Sequence, residues 1–252
     1  MRGREIVWAI VWLGWLTTLG SGTACAAEPQ PSGIDAAAVA KAAGHPGPLH
    51  IAPESTSELA KGFGTPLWAL GIESPDGSFG HVSVLLVHRG TFLTEPLQKS
   101  LAAAAAAPEE TAAAICEDLK GQIQRAHDDR ERARLTLQLQ EVEAITAKTP
   151  ITQRLALPND RVGYGTMLGF SAGGATFVTA LPSPDDQFEL LVATGASLEG
   201  EKRKPTEKSA AYEKAMRERP LQVSEAIAQA VYKDLFPPQK TTETPKETPK
   251  KK

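Results

Sequence analysis

The stretch ATFVTALPSPDDQFELLVAT, residues 175–194, decides the fold class. Its two ends, residues 175–181 and 188–194, are rich in β-branched and apolar side chains, and a segment rich in proline and aspartate separates them. Two such runs joined by turn-forming residues predict a β-hairpin. This is the clearest strand pair in the sequence, and it indicates an antiparallel sheet.

A second hairpin is predicted further towards the N-terminus. Residues 67–73 and 81–88 are β-rich, and Ser74-Pro75-Asp76-Gly77 lies between them. Proline presets the first turn position and glycine accepts a positive φ, so this tetrapeptide favours a chain reversal. Residues 81–88 are apolar on both faces, and we therefore expect this strand inside the sheet and not at its edge.

The segment between the two β-rich halves, residues 94–148, has helical periodicity almost throughout. Apolar residues recur every three or four positions on both sides of a charged stretch at 127–134, which predicts a helical hairpin or one long helix. A further apolar stripe after residue 220 predicts a C-terminal helix. We therefore expect an α+β protein with an antiparallel sheet of about four to five strands. The C-terminal helix covers this sheet, and the long helical, hairpin-like segment is inserted between its two β halves.

The N-terminus has the pattern of a secretory signal peptide. Arg2 and Arg4 precede an apolar run at residues 6–19, and small residues follow it. The run is shorter than the roughly 20 apolar residues that span a bilayer. We expect cleavage near Ala26/Ala27 and export to the periplasm or the exterior. Lipidation of Cys25 is the alternative, although the aliphatic residue typical of lipoprotein signals is missing three positions before it.

These segments predict the organisation of the chain. Residues 1–26 form the signal peptide and 27–33 a linker. Residues 34–236 form a single α+β domain that includes the helical segment 94–148. Residues 237–252 contain mostly lysine, threonine and proline, so they have nothing apolar to bury and predict a disordered tail.

Charge limits the class of partner. Without residues 1–26 the chain carries 25 basic and 29 acidic residues, and without residues 237–252 as well it carries 20 and 27, a net charge of −7. An acidic body argues against nucleic acid as a partner. The tail has five lysines and two glutamates, and it would be attracted weakly to an anionic surface.

The two cysteines, Cys25 and Cys116, predict no internal disulfide, because Cys25 belongs to the segment that is cut or lipidated. Alanine, isoleucine and leucine residues surround Cys116 in the sequence. We expect its thiol to be a small apolar group buried on a helix.

One motif suggests catalysis. Gly169-Phe170-Ser171-Ala172-Gly173 matches the G-x-S-x-G pattern of the nucleophile elbow in α/β-hydrolases, in which Ser171 would be the nucleophile. In those enzymes the catalytic histidine follows the serine, whereas all five histidines here precede Ser171. The residues after the motif also read as a strand and not as a helix. We therefore interpret the glycines as permitting a bulge or tight bend between strands, with a serine hydrolase as the alternative.

Two pairs of histidines lack the geometry that a metal site requires. His45 and His50 flank a proline-rich segment without a regular frame, and His81 and His88 lie on opposite faces of a regular strand. We predict no cofactor, no metal ligands, no nucleic-acid partner and no transmembrane span in the mature chain. The expected function is that of an exported, non-catalytic protein that binds an unknown protein or envelope partner.

Overall fold

The computed structural model describes residues 33–54, 65–171, 174–197 and 210–237. In chain order its elements are α1 (Ala36–Ala43), β1 (His50–Pro53), β2 (Trp68–Glu73), β3 (His81–His88), α2 (Glu95–Ala106), α3 (Pro108–Arg125), α4 (Asp129–Thr146), β4 (Thr152–Ala156), β5 (Val162–Ser171), β6 (Gly174–Pro182), β7 (Phe188–Ser197), α5 (Ala210–Glu218) and α6 (Pro220–Leu235). The predicted signal peptide lies outside the described residues, as do all but one residue of the predicted linker and of the predicted tail.

The seven strands form one antiparallel sheet in the order β1-β2-β3-β7-β6-β5-β4. The α+β class and the antiparallel sheet are confirmed, whereas the predicted number of four to five strands is wrong. β1 illustrates the physical reason. It has only four residues, ends at Pro53 and lies at the sheet edge, where a missing N–H donor is tolerated. A strand this short has no periodicity by which its sequence could be recognised.

The two predicted hairpins build the centre of the sheet. β2 pairs with β3, and β6 pairs with β7. β3 and β7 then pair with each other, so that Val84 lies opposite Val192. β3 therefore has a neighbour on both sides, as its two apolar faces predicted.

Apolar side chains cover both faces of the sheet. On one face, Phe177 and Val192 share a core with Ile227 and Val231 of α6. On the other face, Leu85, Leu191 and Val178 share a second core with the α2 residues Leu97 and Leu101. Burial of each such side chain stabilises the fold by about 1.5–3 kcal/mol. Packing on both faces therefore contributes to the stability of the sheet.

The starts of the helices are fixed locally. Asp35, Thr94 and Asp128 precede α1, α2 and α4, and the side chain of each accepts a hydrogen bond from a backbone N–H of the first turn. α3 and α6 begin at Pro108 and Pro220, where a missing N–H costs nothing.

α3 and α4 form a helical hairpin, residues 108–146. Each helix has 18 residues, and α4 packs chiefly against α3. Leu119, Leu135 and Val142 form a small core between the two helices. The base of the helical hairpin joins the main core through Ile145 and the partly buried Ala112 and Ile115. No helix within the described ranges is both long enough and apolar enough to span a membrane.

Candidate functional site

The Ser171 motif lies at a connection between two strands. β5 ends at Ser171, β6 begins at Gly174, and these two residues pair in the ladder. Ala172 and Gly173 lie outside the described residues. A nucleophile elbow joins a strand to a helix, so the local topology differs from that of an α/β-hydrolase.

A shift in strand register precedes Ser171. Met167 pairs with Phe177 and Gly169 pairs with Thr176, which leaves Leu168 as an additional residue on β5. A bulge of this kind bends a strand and increases its twist. The first glycine of the motif, Gly169, therefore lies directly after this irregularity of β5.

His45, Ser78 and Asp76 form a polar cluster that sequence reasoning missed. The N–H of Gly47 donates to Nδ1 of His45 over 3.2 Å, which leaves the ring proton on Nε2 to donate to Oγ of Ser78 over 3.0 Å. Oγ of Ser78 in turn donates to Oδ1 of Asp76 over 2.6 Å. In a catalytic triad the serine donates to the histidine and the acid contacts the other ring nitrogen. Here the hydrogen bonds run in the opposite direction.

Packing and electrostatics around this cluster are those of a structural network. The hydrogen bonds from the Ser78 side chain and backbone hold the pKa of the Asp76 carboxyl well below its usual range. The ring of His45 contacts the rings of Phe79 and Tyr212 edge-on, with centroid distances of 5.2 and 5.5 Å. Burial raises the pKa of the Tyr212 hydroxyl, which donates to the carbonyl of Phe79. The cluster thereby ties α1 and α5 to the β2–β3 turn.

Glu54, His81 and Ser83 form a second polar cluster. Oε1 of Glu54 lies 3.1 Å from Nε2 of His81 and accepts a hydrogen bond from Oγ of Ser83 over 3.3 Å. Oε1 of Glu73 lies 3.4 Å from Nδ1 of His81. Gly71 gives the ring its space, because a Cβ at that position would lie 3.0 Å from Cε1 of His81.

The chemistry of this second cluster is limited by its hydrogen bonding. The hydroxyl of Ser83 donates to Glu54, so its proton does not point at the imidazole that would have to remove it in a nucleophilic mechanism. Oε2 of Glu54 is buried and has no hydrogen-bond partner among the residues that the structure describes, which is uncommon for a carboxylate oxygen. No sequence signal located the cluster, because Glu54 comes directly after the unpredicted strand β1.

A cleft of about 370 Å³ lies at the turn between β4 and β5. Its lining consists of Arg154, Ala156, Leu157, Asp160, Arg161 and Val162. Asn159 and Asp160 both have positive φ values, 62° and 56°, which asparagine and aspartate tolerate better than most residues. The N–H of Leu157 donates to the carbonyl of Arg161 and closes the turn.

Arg161 is held in this cleft by neutral groups. Its Nε donates to the carbonyl of Pro158 over 3.1 Å, and its Nη1 donates to the carbonyl of Pro182 over 3.2 Å and to the hydroxyl of Tyr232 over 3.0 Å. Burial raises the pKa of Tyr232, and the hydrogen bond from Arg161 opposes that shift. Within the described ranges, neither Arg161 nor Arg154 forms an ion pair with a carboxylate.

The thiol of Cys116 is free and only partly buried, against the core of the helical hairpin. Burial and then the nearby carboxylate of Glu143 raise the pKa of its thiol.

In the part of the chain that the structure describes, no three histidine, cysteine, aspartate or glutamate side chains converge as a metal ion would require.

No protein-family model, curated protein or solved structure matches this chain. A function can therefore be inferred only from the chain's own residues.

Proposed function

We propose that this protein is exported and non-catalytic, and that it binds a helix of a partner protein through its helical hairpin. The basic, apolar and small-residue segments within residues 1–26 support export through a cleaved signal peptide, with cleavage near Ala26/Ala27. The mature protein then acts in the periplasm or outside the cell.

The observation that carries the proposal is an exposed stripe on α4. Ala133, Leu137, Gln140 and Ala144 are exposed, and their spacing of four, three and four residues is that of the a and d positions of a heptad. Leu137 has 52% of its surface exposed, the one large hydrophobic residue of the described ranges with an exposed side chain. The opposite side of α4 packs against α3.

A second helix fits this stripe better than a flat surface does. Residues at heptad spacing form holes into which the apolar side chains of a facing helix insert. Arg134 and Glu143 flank the stripe near its two ends, so a partner helix with an acidic and a basic residue at matching positions would be favoured. In this proposal the segment 94–148 is an insertion between the two β halves that carries the binding surface.

The hydrogen bonds of the serine clusters support a non-catalytic role. The hydroxyls of Ser78 and Ser83 donate to carboxylates and not to a histidine base. Ser171 lies where two strands meet. A serine hydrolase that uses Ser171 remains the alternative, and the motif itself is the observation that favours it.

Site-specific photo-crosslinking in cells that export the protein tests the helical hairpin. A photoreactive residue at position 144 should form an adduct with one partner protein. Leu137→Glu should abolish the adduct, because it places a charge in the apolar stripe. Gln124→Glu adds the same charge at an exposed position of α3 and should leave the adduct unchanged. Equal adduct yields in both variants would contradict the proposal.

The lysine-rich tail, residues 237–252, adds a weak attraction to the anionic cell envelope in this proposal. Each lysine near an anionic surface contributes about 1 kcal/mol, and salt reduces this contribution. Deletion of the tail should lower the fraction of protein retained with the envelope. An unchanged distribution between envelope and soluble fractions would rule out this part of the proposal.

A further inference from the structure

The lining of the cleft between β4 and β5 carries a net positive charge. Arg154 and Arg161 both line it, and Asp160 is the one acidic residue of the lining. The body as a whole is acidic, and neither of these two guanidinium groups forms an ion pair with a carboxylate in the described ranges. A guanidinium presents planar N–H donors that match a carboxylate or phosphate.

The guanidinium of Arg161 is already oriented. Three hydrogen bonds, to Pro158, Pro182 and Tyr232, fix its Nε and Nη1, and none of them neutralises its charge. A donor that is held before the ligand arrives loses little side-chain entropy on binding. Arg154, by contrast, lies within β4, where it pairs with Tyr164, and its exposed side chain is accessible to a ligand.

The shape and the remaining lining indicate the body of the ligand. The volume of about 370 Å³ suits a small molecule. Ala156, Leu157 and Val162 provide apolar surface beside the two arginines. A ligand that combines one anionic group with a short apolar body would contact both parts of the cleft.

The net charge of the lining distinguishes a carboxylate from a phosphate. Arg154, Arg161 and Asp160 together carry one positive charge, which a single carboxylate neutralises. A dianionic phosphate would leave an excess negative charge beside Asp160. We propose that this cleft binds a small monocarboxylate with an apolar body. The site shares no residue with the helical hairpin, so it does not depend on the partner proposed above.

Binding to the purified protein tests the proposal, with hexanoate as the ligand. At low ionic strength, where charge interactions are least screened, isothermal titration calorimetry should give saturable binding of hexanoate. Arg154→Gln should weaken this binding about tenfold, because it removes one charge-assisted contact. Arg125→Gln removes the same charge from an exposed position of α3 and should leave the affinity unchanged. Asp160→Asn should tighten binding, and asparagine accepts the positive φ of that position.

Two further ligands make the result specific. Inorganic phosphate should bind more weakly than hexanoate, and hexylammonium, which has a similar alkyl body and the opposite charge, should not bind. The proposal is overturned if hexanoate does not bind the folded protein, if hexylammonium binds equally well, or if Arg154→Gln and Arg125→Gln behave alike. Tighter binding of phosphate, with the same dependence on Arg154, would replace the monocarboxylate with a phosphate ligand and would overturn it too.

Discussion

The fully buried carboxylate of Glu189, on β7, lies 2.6 Å from Nη1 of Arg89, just after β3. Its two oxygens also accept hydrogen bonds from the backbone N–H groups of Gly90, Phe92 and Leu93, at 2.8, 3.0 and 3.0 Å. One side chain therefore fixes the whole connection from β3 to α2. A buried carboxylate is stable in such a site because these four groups donate hydrogen bonds to it.

Replacement of Glu189 with glutamine should therefore destabilise the fold strongly. The amide keeps the size of the side chain, but its NH2 group would face N–H groups that are themselves donors. Arg89 would also lose its buried, charged partner. We expect the free energy of unfolding, measured with urea, to fall by about 3–5 kcal/mol. Glu117→Gln, at an exposed position of α3, should change it by less than about 0.5 kcal/mol. Similar effects of the two variants would contradict this role of Glu189.

Asp76 should make stability depend on acid pH. Hydrogen bonds from the Ser78 side chain and backbone lower the pKa of Asp76 in the folded protein, whereas in the unfolded chain it is about 3.9. The resulting stabilisation is complete above the unfolded value and is lost as the pH falls towards the folded value. Asp76→Asn should therefore reduce the difference in unfolding free energy between pH 7 and pH 3. An unchanged difference would show that the hydrogen bonds of Asp76 do not contribute.

The central strands could be predicted from sequence because the apolar pattern of their own side chains identifies them as buried strands. Val82, Val84 and Leu86 lie on one face of β3 and Leu85 and Val87 on the other, and a strand inside the sheet buries both faces. β1 could not be predicted, because four residues ending at Pro53 become a strand only when β2 is already there to pair with them. The sheet therefore has more strands than the sequence indicated.

The polar clusters were missed for a related reason. His45 meets Ser78, and Glu54 meets His81, only after the sheet has brought distant segments together. The residues that line the cleft, by contrast, lie close together in the sequence, between Arg154 and Val162. The partners that orient Arg161, however, come from Pro182 and Tyr232, and no local pattern indicates such contacts.

The two sides of α4 should respond differently to mutation. Val142 is fully buried between the two helices, and Val142→Ala should lower the free energy of unfolding by about 2 kcal/mol through lost burial and a residual cavity. Leu137 is exposed, so Leu137→Ala should change it by less than about 0.5 kcal/mol. Urea denaturation of both variants measures the contrast. A large loss of stability in Leu137→Ala would mean that this side chain packs within the folded protein and is not available to contact a partner.

Ser171 should not react as a catalytic serine. A fluorophosphonate labels serines whose hydroxyl is activated by a base, and the motif here joins two strands instead of a strand and a helix. We expect no labelling of the folded protein and no difference between the native chain and Ser171→Ala. Labelling that disappears in Ser171→Ala would establish the hydrolase alternative and refute the non-catalytic proposal.

The proposed signal peptide leads to a prediction about the mature chain. Cleavage after Ala26 removes Trp8, Trp12 and Trp15 together with Cys25, and leaves Trp68 as the single tryptophan. The intact mass of protein from the exported fraction should equal that of residues 27–252. A chain that begins at Cys25 and carries added acyl mass would identify the lipidated form, which is anchored to the membrane. The full-length mass in the exported fraction would contradict cleavage, because the three tryptophans and the apolar run would then still belong to the mature protein.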